Sequence, residues 1–381
     1  MTGTLGIGMV GYAFMGRAHS HAWRTVGRFF DLSLTPRMAA ICGRDRAAVA
    51  AAAERLGWAA WETDWKRLVD RDDVELVDVC TPGSSHAEIS IAALEAGKHV
   101  LCEKPLANTV DEARAMAEAA ERAAARGVRA MVGFNFRRIP AVALARQLVA
   151  AGRLGAIHHV RGAYLASHVL DPEFPLVWRL QAEEAGSGAL GDLGAHAVDL
   201  AQYVAGDHIQ GVSALTETFV RERPLPDGSG QRGPVTVDDA AVFVARFGGG
   251  ALGSFEATRF AAGYTEGLRV EVNGERGSLI WELRSLNELL FFDGTDEPGL
   301  RGFRRIQATE ASHPYAGAWW PPGHTIGYEH TFTHEVRDLL EAIATGQDPV
   351  PSFADGLQVQ QVLDAVLRSA AAGSAWTEVR P

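Results

Sequence analysis

The chain has 381 residues, of which 47% are hydrophobic and 22% are charged, and its formal net charge is −11 at pH 7. This length allows two domains with separate cores, and the composition is that of an ordinary globular protein. Because a negatively charged protein repels phosphate backbones and anionic membrane surfaces, we exclude nucleic acid and membranes as partners and expect a small molecule.

Residues 5–16 read Leu-Gly-Ile-Gly-Met-Val-Gly-Tyr-Ala-Phe-Met-Gly, an apolar strand that turns through glycine into a helix beginning near Ala18. A tight turn of this kind brings the backbone close to the pyrophosphate of a dinucleotide at the helix N-terminus. The motif Gly-x-Gly-x-x-Gly is present with alanine in place of its middle glycine, and the alternative is a turn that only packs strand against helix. The predicted cofactor-binding residues are Gly11, Ala13, Phe14, Met15 and Gly16.

The first third of the chain alternates short apolar runs with Ala-rich helical patterns, which is typical of a doubly wound parallel sheet. The predicted strands are residues 6–10, 38–42, 76–80, 99–102 and 130–134, and the helices predicted between them include 47–56, 84–96 and 110–125. Asp45 and Thr109 stand at the positions of helix N-caps. This α/β pattern predicts an N-terminal Rossmann domain over residues 1–134.

The end of the second predicted strand bears on which dinucleotide is preferred. An acidic residue there would hydrogen-bond the ribose 2′-hydroxyl of NAD. The chain instead has Gly43 followed by Arg44, and arginine suits the 2′-phosphate of NADP. Asp45 could reach the ribose, although capping the next helix is its simpler role. We predict that Gly43 and Arg44 lie in the cofactor site and that NADP is favoured over NAD.

Two further strand ends carry polar residues that should lie near the nicotinamide, because carboxyl ends of parallel strands share one edge of a sheet. The predicted cofactor-binding residues there are Thr81, Pro82 and His86 after one strand and Glu103 and Lys104 after the next. Since Lys104 precedes Pro105, its backbone is restricted and its ammonium points in a fixed direction. The alternative for Lys104 is an ion pair with Glu103 or a surface carboxylate.

After the fifth strand the alternation stops. A helix is predicted at 141–151 and a strand at 157–165, followed by a glycine-rich segment that contains Asp192 and His196. Their i, i+4 spacing places both side chains on one face of a predicted helix, where a carboxylate beside an imidazole could move the proton of an alcohol. The alternative is a capping aspartate and a buried core histidine.

Later residues form long apolar runs with short turns between them, the pattern of an antiparallel meander. The runs are 209–220, 240–247, 251–259, 268–273, 278–282 and 288–292, with an exposed loop at 224–234. One face of such a sheet must be covered by helices or by a second subunit. We predict an α+β domain for substrate binding and oligomerisation over residues 135–350, with an open, mostly antiparallel sheet.

The end of the chain is predicted to be helical, first from Tyr328 and then within residues 351–381, where a helix packs back on the body. His330 and His334 are spaced i, i+4, which could hold a metal. Because no carboxylate or cysteine nearby completes the set, a solvated helix face explains them better. We predict no metal site.

The cysteines and the N-terminus bear on the compartment. Cys42, Cys80 and Cys102 form no C-x-x-C pair, which favours a reducing environment over disulfides or structural zinc. The first residues show neither a basic nor an apolar signal segment. We therefore expect a cytoplasmic protein, with the cysteines acting as small buried hydrophobic residues at strand ends.

Several of these motifs occur in one order and spacing that resembles the Gfo/Idh/MocA oxidoreductase family, which includes glucose–fructose oxidoreductase and inositol dehydrogenases. They are the glycine turn, Thr81-Pro82 with His86, Glu103-Lys104-Pro105, Asn135-Phe136-Arg137-Arg138 and the Asp192/His196 segment. The resemblance covers about residues 7–371. Trp178-Arg179 and the glycine-rich segment before Asp192 look like the branch that contains levoglucosan and scyllo-inositol dehydrogenases.

The resemblance implies a Rossmann domain, a substrate domain, and a homodimer or homotetramer assembled through the C-terminal sheet. It identifies Lys104, Asp192 and His196 as the catalytic trio of an NAD(P)-dependent dehydrogenase that oxidises a ring secondary alcohol of a sugar, anhydrosugar or cyclitol. The implied substrate-binding residues are Asn135, Arg137, Tyr164, Trp178, Arg179, Asp192 and His196. Two other functions stay open: a glycosidase that retains NAD and oxidises its sugar transiently, and a non-enzymatic regulator that senses a dinucleotide or sugar.

The chain also departs from the family pattern. Ala13 replaces the middle glycine, Gly83 stands where the family often has asparagine, and Gly43-Arg44 replaces an acidic strand end. Ala166-Ser167-His168 follows Tyr164 where the levoglucosan-type branch has larger polar and aromatic residues. The first three departures concern the dinucleotide site, and the last leaves the identity of the sugar open.

Overall fold

The computed structural model describes residues 3–380, which divide into two compact units. The first unit runs to Asn135 and also contains Ile326–Leu357, and the second contains Phe136–Thr325 and the residues from Gln358 onward. The sequence pattern predicts one domain over residues 135–350, whereas the segment from Ile326 groups with the first unit. The reason is packing, because apolar side chains of that segment lie in the core of the first unit.

The first unit contains a six-stranded parallel sheet in the order β3-β2-β1-β4-β5-β6. Its strands are β1 (Gly3–Val10), β2 (Leu34–Cys42), β3 (Ala60–Glu62), β4 (Leu76–Val79), β5 (His99–Glu103) and β6 (Ala130–Gly133). The helices between them are α1 (Phe14–Phe29), α2 (Arg46–Leu56), α3 (Trp65–Val69), α4 (His86–Glu95) and α5 (Val110–Ala124). The predicted doubly wound sheet is therefore confirmed, although the short β3 and α3 carried no recognisable sequence pattern.

The helix starts in this unit follow from local capping chemistry. Asp45 accepts a hydrogen bond from the Ala48 amide at 2.9 Å, and Thr109 forms a reciprocal capping box with Glu112. Both predicted caps are confirmed. Helix α1 begins at Phe14, earlier than the predicted start near Ala18, because the backbone already enters the helix directly after the turn.

Strand order determines where a ligand can bind. Strand β1 lies between β2 and β4, so the chain winds outward in opposite directions from this point. In open parallel sheets, ligands bind at the carboxyl ends of the strands beside such a switch point. The residues that follow β1, β4 and β5 thus share the edge at which a dinucleotide is expected.

The second unit is built on a nine-stranded mixed sheet in the order β16-β15-β14-β13-β7-β12-β11-β8-β17, in which β7 and β12 are parallel and the other pairs are antiparallel. The strands of this unit are β7 (Ile157–Leu165), β8 (Ile209–Glu217), β9 (Glu222–Pro224), β10 (Arg232–Pro234), β11 (Ala240–Phe247), β12 (Leu252–Thr258), β13 (Gly267–Gly274), β14 (Gly277–Glu282), β15 (Glu288–Asp293), β16 (Arg304–Gln307) and β17 (Thr377–Glu378). Its first helices are α6 (Pro140–Ala150), α7 (Ala182–Ala185) and α8 (Ala195–Ala205). The predicted open, mostly antiparallel sheet is confirmed.

One face of this sheet is covered and the other is open. Helix α8 packs on β7 and β13, and the residues of β11 alternate between buried and exposed along the strand. The segment predicted as an exposed loop at 224–234 is largely exposed over residues 225–231, and its two ends pair as the short strands β9 and β10 of a hairpin. Two long helices follow the sheet, α9 (Tyr328–Thr345) and α10 (Phe353–Ala371). Among the helices of residues 3–380, none combines the length and apolarity needed to span a membrane.

Candidate functional site

The glycine turn of the first unit forms a cradle at the start of α1. Gly11 has φ +106°, and a Cβ there would lie 2.6 Å from the Cys80 carbonyl oxygen. A Cβ at Gly16 would lie 2.3 Å from the Gly11 carbonyl oxygen. These two positions require glycine for the fold itself, whereas Ala13 is exposed and occupies the N-cap of α1. Of the three motif positions, only position 13, where alanine replaces glycine, is therefore exposed.

The N-terminus of α1 is suited to an anion. No side chain caps it, and its first turn contains no acidic residue. Unpaired amides and the positive end of the helix dipole both favour a phosphate. Phe14 is 56% exposed, and its ring stacks on Tyr328 with centroids 6.3 Å apart. Met15 is half-buried against the core of the unit. The cradle thus fits the diphosphate of a dinucleotide.

Tyr12 explains why the second strand does not end in a carboxylate. A Cβ at Gly43 would lie 1.9 Å from Cε1 of Tyr12, so the tyrosine ring occupies the space of a residue 43 side chain. Asp45 is engaged as the cap of α2, and Arg44 is exposed. The sequence motifs did not identify Tyr12, because its contact with Gly43 joins two separate turns.

The loops that follow β4 and β5 are joined by His86. Its buried ring places Nε2 2.9 Å from the Thr81 carbonyl oxygen and Nδ1 3.0 Å from the Pro105 carbonyl oxygen. Burial lowers the pKa of His86, and the nearby carbonyls oppose that shift. His86 was predicted to bind cofactor, and in the structure its ring lies between carbonyl oxygens of the two loops, to one of which a neutral imidazole donates. Thr81 and Pro82 remain half-exposed at the edge.

Asn108 explains the glycine at position 83. A Cβ at Gly83 would lie 2.3 Å from Oδ1 of Asn108, which comes from the loop before α5. The asparagine amide thus fills the space that a side chain at position 83 would need. This contact crosses between two strand ends, so sequence spacing did not reveal it.

A buried cluster of charged residues lies behind the loop that contains Lys104. His19 of α1 lies between Asp78 of β4 and Glu103 of β5, and all three are at most 4% exposed. The Nδ1 atom of His19 is 3.0 Å from both carboxylate oxygens of Asp78, and Nε2 is 3.0 Å from Oε1 of Glu103. Glu103, predicted as a cofactor ligand, also accepts the Lys104 amide hydrogen at 3.1 Å through Oε2. We call these three residues the His19 cluster.

The hydrogen bonds define the charges in the His19 cluster. The Trp23 indole donates to Asp78 at 2.7 Å, so the oxygens of both carboxylates accept hydrogen bonds. A neutral imidazole donates from one nitrogen only, so the contact of both His19 nitrogens with carboxylate oxygens favours the imidazolium form. Although burial by itself lowers the pKa of His19, the charge of Asp78 and further polar contacts raise it well above 6.5.

Cys80 gives this region the geometry of a possible metal site. Ligand atoms of His19, Asp78 and Cys80 lie within 4.8 Å of one another. The Cys80 thiol donates to Asp78 at 3.4 Å, and burial followed by the charge of Asp78 raises its pKa well above 9.0. Because metal binding needs the thiolate, a hydrogen-bonded cluster explains this arrangement better. A buried aspartate inside the otherwise apolar β4 was the sequence signal for the cluster.

In the second unit, Asp192 and His196 do not share one regular helix. Residues Leu190–Gly194 form a π-helical turn, and α8 begins only at Ala195. A π turn has more residues per turn than an α-helix, so the regular i, i+4 register that the prediction assumed does not apply to this segment. The start of the π turn is bound by buried Asp238, whose carboxylate accepts the amide hydrogens of Gly188 and Leu190 at 2.7 and 2.8 Å.

Asp192 is held by an arginine that the sequence analysis missed. Nη2 of Arg259 donates to Oδ2 of Asp192 at 3.1 Å, and the two side chains are 2% and 28% exposed. Arg259 also donates to the carbonyl oxygens of Gly188 at 3.0 Å and Arg179 at 3.2 Å. One guanidinium thus fixes the carboxylate and two loop carbonyls around it.

His196 lies in an aromatic environment. Its ring centroid is 4.7 Å from that of Phe136 and 5.9 Å from that of Tyr164, and His196 is 7% exposed. Tyr164 is therefore a neighbour of His196, as a role in one pocket requires. Trp178 is half-buried and Arg179 is exposed, with the guanidinium 4.2 Å from the centre of the indole ring.

Two predicted substrate-binding residues are committed to internal contacts. Buried Arg137 donates through Nε at 3.0 Å and Nη2 at 2.6 Å to the carboxylate of Asp199. Buried Asn135 donates to the Thr331 hydroxyl at 2.7 Å. Both residues stabilise the fold around the site, and their contacts give no reason to place them against a substrate.

The histidine pair of α9 does not lie on a solvated helix face. His334 is fully buried, with its ring edge-on to Phe30 at 5.8 Å. His330 is half-buried, its Nδ1 accepts the Gly327 amide hydrogen at 3.1 Å, and burial lowers its pKa. The expectation of exposure was wrong because α9 packs into the core of the first unit.

Two family models match the chain. Residues 5–134 match the model described as an oxidoreductase family with an NAD-binding Rossmann fold, and residues 142–280 match the GFO/IDH/MocA C-terminal domain. Levoglucosan dehydrogenase of Pseudarthrobacter phenanthrenivorans is 41% identical over 388 aligned positions, covering 98% of each chain. More distant relatives include inositol dehydrogenases.

Solved structures of oxidoreductases are also similar to this chain. An oxidoreductase domain protein from Kribbella flavida is 63% identical and has a TM-score of 0.97 over the full length of both chains. A levoglucosan dehydrogenase in complex with NADH and levoglucosan is 42% identical and has a TM-score of 0.94, covering 99% of each chain.

Proposed function

Because the chain belongs to the GFO/IDH/MocA oxidoreductase family, we propose that Lys104, Asp192 and His196 carry its reaction. The protein is a nicotinamide-dependent dehydrogenase that oxidises an alcohol of a sugar or cyclitol. The single observation that best supports the residue roles is the Arg259–Asp192 ion pair, which fixes a carboxylate on the turn immediately before His196.

Each residue has a role that follows from its chemistry. His196, surrounded by aromatic rings, accepts the proton of the substrate hydroxyl, and Asp192 orients the hydroxyl or the imidazole. Lys104 stabilises the negative charge that develops on the alcohol oxygen. When bound, the nicotinamide would supply the hydride acceptor, at its C4 atom. Tyr164, Trp178 and Arg179 are the residues that we propose for binding the ring of the substrate.

The cofactor proposal follows from the cradle. We propose that the dinucleotide contacts the turn and the strand ends through Gly11, Ala13, Phe14, Met15, Gly16, Gly43, Arg44, Thr81 and Pro82. His86 and Glu103 then act indirectly, by holding the loops. We further propose that the chain prefers NADP, because Arg44 is exposed while Asp45 is committed to its helix cap.

The substrate class is tested by following absorbance of the reduced nicotinamide. Purified protein is mixed with NAD or NADP and a panel of inositols, aldoses and anhydrosugars, including levoglucosan and myo-inositol. We expect a rise with at least one cyclic polyol. If none responds but a glycoside releases free sugar without net cofactor reduction, the chain is a glycosidase. Dinucleotide binding with neither reaction would favour a sensor.

We propose that the open sheet face assembles a homodimer or homotetramer. Exposed apolar side chains stand on the outer face of three adjacent strands, at Leu215, Val242, Val244 and Leu252. An apolar patch of this kind is typical of a protein interface. Light scattering after size exclusion should give a multiple of the 40.8 kDa chain. Changing Val242 and Val244 to lysine should shift the mass to the monomer, and an unchanged mass would reject this face.

We also propose a cytoplasmic location. Cys42, Cys80 and Cys102 are all free and buried, which suits a reducing compartment. Fractionation of the source cells would test this directly, and recovery in a secreted fraction would reject it.

A further inference from the structure

Glu103 connects the buried His19 cluster to the residue proposed to stabilise the alkoxide. One carboxylate oxygen of Glu103 faces His19 at 3.0 Å, and the other accepts the Lys104 amide hydrogen at 3.1 Å. The Glu103 carboxylate also lies close to β6, because a Cβ at Gly133 would be 3.2 Å from Oε1. The side chain therefore has little freedom to move while His19 remains bonded to it.

We propose that His19 is a positioning residue for this dehydrogenase, acting through Glu103 on the backbone of Lys104. This inference rests on the proposed function, because it assigns His19 a role only if Lys104 takes part in the reaction. Helix α1 begins at the dinucleotide cradle and contains His19, so the same helix that receives the diphosphate also fixes the loop after β5. The nucleotide cradle and Lys104 are thus built on one hydrogen-bonded frame.

The charge arrangement explains why histidine is needed at this position. Two buried carboxylates repel each other, and an imidazolium can donate to both at once. A glutamine at position 19 is neutral and has one amide group to share between them. The carboxylate of Glu103 would then lose its charged partner, and its hold on the Lys104 amide would weaken.

The test compares His19→Gln with Trp23→Phe. The control removes the indole donor to Asp78, at 2.7 Å, and leaves Glu103 and Lys104 untouched. Hydrogen exchange is followed on peptides that share an upstream N-terminus and end at Glu103 or at Lys104, because their difference in deuterium uptake is that of the Lys104 amide. We expect faster exchange at Lys104 in His19→Gln but not in Trp23→Phe, although both variants lower the melting temperature.

Kinetics give the second measurement. With the cyclic polyol that the wild type oxidises, His19→Gln should lower kcat at least about tenfold with little change in KM for the dinucleotide, because small displacements of a catalytic group are costly. Trp23→Phe should keep kcat within about twofold. Equal losses in the two variants, or unchanged exchange at Lys104 in His19→Gln, would overturn the proposal.

Two further variants separate the possible failures. If Lys104→Met retains full turnover, the proposed role of Lys104 in the reaction fails and the role of His19 falls with it. If Lys104→Met is inactive while folded His19→Gln is fully active, only the positioning role is rejected. Should His19→Gln not fold, Glu103→Ala breaks the same link and leaves the His19–Asp78 pair in place. Normal exchange at Lys104 in Glu103→Ala would then refute the proposal.

Discussion

Arg259 and Asp192 form an ion pair in which the arginine is almost fully buried and the carboxylate is partly exposed, with 3.1 Å between Nη2 and Oδ2. The guanidinium also binds two carbonyl oxygens on neighbouring loops, so it cannot follow the carboxylate if that side chain turns away. Asp192 is therefore presented at a fixed position with a positive charge beside it. This arrangement favours an orienting role for Asp192 and leaves proton transfer to His196.

Replacing Arg259 with lysine should lower kcat by about tenfold or more, because a compact ammonium lacks the planar spread with which the guanidinium spans the carboxylate and both carbonyls. Arg223→Lys is the matched control. Arg223 is also buried and donates to the carbonyl oxygens of Asp171 and Val169, but it does not touch Asp192. Steady-state kinetics and thermal unfolding of both variants test this prediction. A similar loss of kcat in the control would assign the effect to general destabilisation.

Gly11→Ala should both destabilise the first unit and abolish dinucleotide binding. The backbone has φ +106°, and the new methyl group would lie 2.6 Å from the Cys80 carbonyl oxygen. The expected loss is about 1–3 kcal/mol in the free energy of unfolding. Urea unfolding and NADH fluorescence titration measure the two effects. Ala13→Gly, at the exposed middle position, should bind NADH at least as tightly as the wild type, and weaker binding would contradict the cradle model.

Arg44→Ala should lower kcat/KM for NADP by roughly 10- to 100-fold and leave kcat/KM for NAD nearly unchanged, because only NADP offers a 2′-phosphate to the guanidinium. The comparison of both cofactors in one variant is its own control for folding. Arg46→Ala is a second control, since that guanidinium lies 5.0 Å from the centre of the Trp61 ring. Equal losses with both cofactors would show that Arg44 does not read the phosphate.

The Tyr12 ring should block an acidic residue at position 43. Gly43→Asp alone is expected to destabilise the first unit, because its Cβ would fall 1.9 Å from the tyrosine ring. The double variant Tyr12→Ala/Gly43→Asp removes this clash, and it should recover stability and shift the kcat/KM ratio toward NAD. Urea unfolding of both single variants and the double variant gives the coupling free energy between positions 12 and 43. Additive effects would show that the ring does not limit position 43.

His99 gives a prediction on pH. Burial, followed by the charge of Arg129, lowers the pKa of His99 to about 4 from 6.5, and its Nδ1 accepts the Arg129 amide hydrogen at 2.9 Å. Because the folded pKa is depressed for a base, its stabilising contribution is complete above pH 6.5 and is lost as pH falls toward 4. The loss is about 3 kcal/mol over this interval.

The measurement compares urea unfolding of the wild type with His99→Gln between pH 7 and pH 4. Glutamine keeps an acceptor for the Arg129 amide but cannot gain a proton. The difference in unfolding free energy between the two proteins should therefore change steadily in favour of the variant below pH 6.5. A constant difference would show that His99 titrates normally in the folded state.

Features that depend on neighbouring residues could be predicted from the sequence. The glycine turn, the caps at Asp45 and Thr109, and the alternation of buried and exposed residues in β11 all follow from local backbone or side-chain chemistry. The parallel sheet could be predicted because strands that are buried on both faces have continuous apolar sequences.

Features that depend on contacts between distant segments could not be predicted from the sequence. The ring of Tyr12 over Gly43, Asn108 beside Gly83, and Arg259 beside Asp192 leave no periodic pattern in the chain. The π turn at Leu190–Gly194 is set by buried Asp238, which lies 48 residues away from Leu190. His334 was expected to be exposed because the residues that pack against its helix, such as Phe30, are distant in sequence.

The first unit is completed by residues that are synthesised late. Its core contains Ile7 and Leu76 together with Phe332, Val336 and Leu339 of α9, so most of the second unit, Phe136–Thr325, lies in sequence between the two segments of the first. A nascent chain that has emerged only to residue 134 lacks these side chains and leaves apolar surface of the sheet exposed. The nucleotide-binding unit should therefore complete its core only after nearly the whole polypeptide has left the ribosome, unlike domains that fold as each is made.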